Sequence, residues 1–162
     1  MQLTESGPVG LYFEDIALGA KLVTRGRTIT EADIVSFATL TGDFNPMHTD
    51  AHYMKTHPMG QRVAHGMLSL SYAVGQAYQL GFMERTVLAF RGIEMKFSLP
   101  VYIGDTLHVQ MLVSEKKEAR RIGGGIVTLE VKIINQEDKT VQSGQWVVLM
   151  ALKPDATATD TP

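Results

Sequence analysis

The sequence predicts an α+β fold in which one long apolar helix packs against an antiparallel sheet. Three observations predict it. Residues 64–81 carry Met67, Leu70, Val74, Ala77 and Tyr78 at helical spacing. After Arg85 the chain turns to alternating, β-branched segments. The segments also run in a telling order: strand, helix, irregular stretch, long helix, then four strands.

The elements follow in order. Residues 21–29 read as a strand. Thr30 reads as a helix N-cap with Asp33 as the return partner of a capping box. Ile34, Phe37, Ala38 and Leu40 give that helix an apolar stripe, and Gly42 is a natural stop. Residues 43–62 read as irregular, because Asn45-Pro46, His57-Pro58 and Gly60 are turn and breaker signals. In the long helix, Ser71, Ala73, Gly75 and Ala77 are small, which predicts burial on most sides. Gly75 costs about 1 kcal/mol of helix propensity, so something nearby is expected to need its space. Leu107, Val109, Met111 and Val113 alternate with His108, Gln110 and Leu112. Residues 126–134 and 140–152 are further strands. Gly123-Gly124-Gly125 and Gln136-Glu137-Asp138 read as turns between strands.

At 162 residues the chain fits one domain, expected at 11–152, with an N-terminal extension at 1–10 and a flexible tail at 153–162. The net charge of −2 and the lack of a basic block argue against nucleic acid as a partner. Cysteine is absent, which excludes disulfides, thiolate metal sites and cysteine nucleophiles. Met1 to Gly10 does not have the makeup of a signal peptide, and no run is long enough to span a bilayer. A cytoplasmic protein with no membrane partner is the expectation.

The chemistry is carried by Gly42-Asp43-Phe44-Asn45-Pro46-Met47-His48-Thr49-Asp50. Asp43 and His48 are five apart, about 140° around an α-helix, so they share no helical face. In a turn built on Asn45-Pro46 they can converge. A carboxylate beside an imidazole can hold a water and move its proton. Local spacing leaves a second account equally open: an Asx-turn in which Asp43 and Asn45 cap backbone and His48 is merely solvated. Gly66, at the start of the long helix, offers an uncovered N–H where developing negative charge is favoured; a glycine needed for packing is the other account. His48, Asp50 and His52 have zinc-like spacing if helical, but the glutamate of the metalloprotease pattern is missing, and no metal is expected. His57 reads as a loop residue and His108 as solvated. Arg25, Arg27, Arg91, Lys116, Lys117, Arg120 and Arg121 read as a solvated charge set rather than a phosphate site.

Together these residues resemble the MaoC-like dehydratases, which include the (R)-specific enoyl-CoA hydratases. The hydratase motif stands here as Asp43-Phe44-Asn45-Pro46-Met47-His48, followed by Asp50. It is joined by Ala64-His65-Gly66-Met67-Leu68 and by the stretch from Lys96 to Thr106. The resemblance implies a hot-dog fold, a long central helix wrapped by an antiparallel sheet. It implies Asp43 and His48 as the catalytic pair, Gly66 as donor to the thioester carbonyl, and Asn45 as support for the loop. The implied reaction is syn addition of water to a trans-2-enoyl thioester, giving an (R)-3-hydroxyacyl thioester, with no cofactor. The substrate would be an acyl-CoA or acyl-ACP, and the assembly a homodimer or higher homo-oligomer. Tyr53, Met67, Leu68 and Tyr72 are expected to line the acyl pocket. Two other classes stay open. One is a hot-dog thioesterase, disfavoured because 64–83 holds no Asp or Glu. The other is a non-catalytic acyl-binding subunit, disfavoured because the Asp43 and His48 pair is intact.

Overall fold

The computed structural model describes residues 2–3 and 9–154. The expected extension at 1–10 and tail at 153–162 therefore lie largely outside the described residues. Gln2–Leu3 (β1) runs parallel to Lys21–Val23 (β2). At the other end Lys153 is tied down: its N–H donates to Glu14 at 3.0 Å and its ammonium pairs with Asp15 at 2.5 Å.

The expected strand at 21–29 divides into β2 and Arg27–Thr28 (β3). Thr24 marks the break. Its hydroxyl oxygen, in place of a backbone carbonyl, accepts the Val109 N–H at 2.9 Å, so the ladder is interrupted. Glu31–Thr41 (α1) follows. Its capping box is the expected one, with Thr30 accepting the Asp33 N–H and Asp33 accepting the Thr30 N–H. Gly42 ends it at φ 77°, a left-handed position that suits glycine. Ile34 and Ala38 are buried and Phe37 packs against the core, but Leu40 is 82% exposed. Two residues beyond Ala38, Leu40 is turned about 200° around the axis and leaves the stripe.

The segment expected to be irregular holds two short helical turns, Pro46–Thr49 (α2) and Ala51–Met54 (α3). Asn45-Pro46 was expected to break structure and instead starts it. Asn45 accepts the Met47 N–H at 3.1 Å as the N-cap, and proline is well placed in the first helical turn, where its missing N–H costs nothing. Asp50 does the same for α3, accepting the Tyr53 N–H at 2.9 Å.

Gly66–Gln79 (α4) is the long helix. Val87–Phe97 (β4), Thr106–Ala119 (β5), Gly124–Ile134 (β6) and Thr140–Ala151 (β7) complete the chain. The sheet order is β1-β2-β5-β6-β7-β4, with β3 beside β5. Apart from β1–β2, the pairings are antiparallel. Gly123 turns the chain at φ 75°, whereas Gly124 and Gly125 already belong to β6. Their lack of side chains has a use: a Cβ on Gly125 would collide with the Phe13 ring.

One apolar cluster joins Leu68, Leu70, Ala73 and Ala77 of α4 to Val109, Met111, Leu129, Val131 and Trp146 of the sheet. The helix is not buried on most sides. Met67, Ser71, Gly75 and Tyr78 form an open stripe, and no atom stands within 4 Å of a Cβ built on Gly75. Within one chain the sheet covers a single side of α4, so Gly75 meets no neighbour that needs its space. No helix among the described residues is long and apolar enough to cross a membrane.

Candidate active site

The site lies where the end of α1 meets the start of α4. Once Gly42 has stopped α1, the Asp43 carboxylate divides its work. Oδ1 accepts the Asn45 N–H at 3.2 Å, an Asx-turn. Oδ2 faces His48 Nε2 at 3.9 Å. The turn and the pair, two competing accounts of the sequence, coexist on the two oxygens of one side chain.

His48 sits on α2 and is buried, at 7% exposure. Its Nδ1 lies 2.8 Å from the Val63 carbonyl. A carbonyl only accepts, so in this bond Nδ1 carries the hydrogen, and in the neutral ring Nε2 keeps its lone pair. Val63 is itself anchored, by its N–H to the Met47 carbonyl at 3.1 Å and by a bridge to Tyr102. The 3.9 Å gap is too long for a direct hydrogen bond. It suits one water between the groups: two bonds of about 2.8 Å meeting at roughly 90° span it.

The start of α4 forms the opposite wall. An open pocket of ≈ 370 Å³ is lined by Phe37, Thr41, Asp43, His48, His65, Gly66, Met67 and Ser71. Gly66 is the first residue of the 14-residue helix, with no acidic residue in its first turn. Its N–H therefore heads a helix dipole at the pocket. Behind it, Gln142 of β7 donates to the Gly66 carbonyl at 2.9 Å. A Cβ on Gly66 would come within 2.7 Å of the Phe97 ring, so any larger residue here must push that ring aside.

The structure thus brings Asp43, His48, Gly66 and Met67 together, with Asn45 capping the turn that carries His48. It does not bring the remaining acyl-pocket candidates to the same wall. Leu68 is buried in the core at 1% exposure, one position around the helix from Met67. The Tyr72 hydroxyl donates to Asp33 at 2.6 Å, and the Arg27 guanidinium covers its ring. Tyr53 lies on α3, near His57. His48 and His52 fall on separate turns, divided by Asp50 in an extended conformation.

His65 was missed. The motif Ala64-His65-Gly66 drew attention to Gly66 and gave its neighbour no role. The ring of His65 stacks on His48 with centroids 3.8 Å apart and 26° between planes, and its Nε2 lies 3.0 Å from the Asp43 carbonyl. Asp43, His48 and His65 are close enough to share a metal ion. However, the His65 Nε2 is committed to a carbonyl. A catalytic zinc site takes three protein ligands, and beside Asp43 Oδ2 and His48 Nε2 the atom left to supply the third is the His65 Nδ1, buried and without a partner among the described residues. Of the basic residues, Arg27 pairs with Asp33 at 3.0 Å, Arg120 with Glu118 at 2.9 Å, and Lys116 donates to the Ile16 carbonyl over the Phe13 ring.

A carboxylate and an imidazole spaced for one water, beside a helix N-terminus, have the geometry that acid–base chemistry on a water requires. The MaoC-like domain model matches residues 15–134, and the chain belongs to the MaoC-like dehydratase family. It is 41% identical over 110 residues to protein MaoC of Klebsiella aerogenes, covering 67% of this chain and 32% of that one, so it spans about a third of that relative's length. It is 30% identical over 149 residues to a 3-hydroxybutyryl-CoA dehydratase of Methylorubrum extorquens, covering 90% of this chain and 88% of the relative. An (R)-specific enoyl-CoA hydratase of Rhodospirillum rubrum is 38% identical over 65% of this chain and 74% of its own. Among solved structures, an Archaeoglobus protein described as a monoamine oxidase regulatory protein superposes with a TM-score of 0.84 at 36% identity, covering 91% and 98% of the two chains. A Mycobacterium tuberculosis protein described as a double hot-dog fold superposes at 0.78 with 21% identity, covering 93% of this chain and 47% of its own. The architecture is the hot-dog fold.

Proposed function

We propose that this chain is a hydro-lyase that adds water to, or removes it from, the 2,3-double bond of a trans-2-enoyl thioester, with the (R)-3-hydroxyacyl thioester as the hydrated partner. The observation that carries this reading is the 3.9 Å separation of Asp43 Oδ2 and His48 Nε2 in the pocket that Gly66 also lines. The pair binds one water. As its oxygen bonds to C3, one of the two groups takes the water proton and the π electrons move toward the thioester oxygen. The Gly66 N–H steadies that oxygen; losing one such donor costs about 3 kcal/mol. The pair then passes that proton on to C2, so both hydrogens of the water end on the product. One O–H bond and one π bond break, and one C–O and one C–H bond form. The conjugated thioester is already electrophilic at C3, so the scheme asks for no cofactor.

The names of the relatives support acyl-CoA as the carrier. A second copy of the chain is the proposed partner. β4 ends the sheet order, and Phe90, Ile93, Phe97 and Leu99 along and beyond it are 39 to 54% exposed. A long apolar edge strand is a pairing surface unless it is covered.

The test is hydration of crotonyl-CoA, followed by loss of enoyl-thioester absorbance, with product chirality read separately. Asp43→Asn and His48→Gln are each expected to abolish turnover while circular dichroism stays native. Full activity in both would overturn the assignment, and release of free thiol without hydration would point to a thioesterase.

A further inference from the structure

Two groups separated by 3.9 Å must be held at that distance, and neither holds itself. The His48 Nδ1 bond to Val63 fixes one edge of the imidazole, but a ring bonded at one edge can still rock about it. On the other side, Asp43 lies in an exposed loop, and its Oδ1 bond reaches only to the N–H two residues on.

His65 touches both. Its Nε2–H donates to the Asp43 backbone carbonyl at 3.0 Å, and its face lies on the His48 ring at 3.8 Å. His65 is itself well seated, at 3% exposure with the Phe37 ring 5.1 Å away. It precedes the first residue of α4, yet its side chain makes no cap hydrogen bond to the helix. Its Nδ1 is buried with no partner among the described residues. The ring is therefore not committed to helix capping. Its orientation is set by the Asp43 carbonyl and by the rings packed on it.

We propose that His65 is a positioning residue, a side chain that sets the spacing of the Asp43 carboxylate and the His48 ring. The inference rests on the hydro-lyase reading above. It adds to that reading a group that touches the Asp43 main chain and the His48 ring and takes no part in the proton transfers.

Three variants separate the two contacts. H65Q offers an amide N–H to the Asp43 carbonyl without a ring. H65F keeps a ring face for His48 without a donor. H65A removes both. Each is assayed for crotonyl-CoA hydration, for thermal unfolding, and by ¹⁵N NMR of the histidine ring nitrogens. The expected result is a fall in kcat of roughly 10- to 100-fold in H65A, the scale on which misplacement of reacting groups is felt. H65Q and H65F lose less, and KM changes little throughout. In the wild type His48 shows one tautomer with its proton on Nδ1; in H65A it exchanges between both.

A folded H65A with wild-type kcat and an unchanged His48 signal would overturn the proposal. So would a rise in KM at constant kcat, which would make His65 a substrate contact. If H65A does not fold, H65Q and H65F decide by the same criteria. A wild-type chain that hydrates no enoyl thioester strikes the hydro-lyase reading instead. The NMR arm then judges His65: a His48 tautomer that loosens in the variants upholds the positioning role, and one that does not overturns it.

Discussion

At Gly66 the missing side chain makes room for the Phe97 ring. A methyl group there would lie 2.7 Å from the Phe97 ring, and in the single chain that ring is 54% exposed, so there it can swing outward. Gly66→Ala is therefore expected to cost at most about 1.5 kcal/mol of stability, within the range for a small overpacking that can relax. It should lower kcat/KM for crotonyl-CoA by roughly tenfold or more, because the new methyl crowds the N–H offered to the oxygen. Thermal unfolding run beside steady-state kinetics checks both; a stability loss with unchanged kinetics would sink the role given to Gly66. At this scale the meeting of Asp43, His48 and Gly66 in one pocket was legible. Asp43, His48 and Gly66 belong to short sequence patterns whose chemistry depends on nearby residues. His65 and Gln142 were not legible, because what they do depends on contacts 22 and 76 residues away.

Among the elements, α1 matters because its far end carries Asp43. Its first turn is held by a polar cluster around Asp33. Burial pushes the Asp33 carboxyl up. Hydrogen bonds from Tyr72 and from the Thr30 N–H and hydroxyl, with the charge of Arg27, outweigh that and hold it below the ordinary carboxylate value. A carboxyl more acidic in the folded state binds fewer protons there than in the unfolded chain. Its contribution is complete above the unfolded value of ~4 and is lost as pH falls through the lower folded value. Asp33→Asn should thus destabilise the protein at neutral pH, with the deficit shrinking below about pH 4. Urea midpoints of both proteins across that range decide it, and a deficit independent of pH would show that the charge is not responsible. The capping box and Gly42 were readable because a cap needs only four consecutive residues. The turns α2 and α3 were misread because Asn45-Pro46 signals both a break and a start, and only the surrounding fold chooses.

For the whole molecule, the sheet's edge is decisive. At Gly144 of β7 a Cβ would come within 1.9 Å of the Glu94 carbonyl oxygen on β4. Backbone cannot swing aside as Phe97 can. Gly144→Ala is expected to cost about 3 kcal/mol or more, read as a large fall in the urea midpoint; a wild-type midpoint would refute the close approach. The other side of β4 bears the exposed apolar row. Ile93→Lys should shift the proposed pair of chains toward monomer in light scattering while leaving secondary structure unchanged, and an unaltered mass would remove β4 from the interface. The helix-against-sheet layout was legible from the order and period of the segments. The open stripe on α4 was not: small apolar residues look the same in sequence whether sheet, partner or solvent lies beside them.

The two oxygens of Asp43 carry a last consequence. The one that builds the turn needs only to accept an N–H, which an asparagine carbonyl does equally well. In the proposed reaction the one that faces His48 must be able to take or give a proton, which an amide cannot. A chain with asparagine at this position would keep its loop, its pocket and its likeness to the family, yet be silent. Whether a relative of this protein is an enzyme or a quiet copy can therefore hang on one atom, at a place where the fold itself registers no difference.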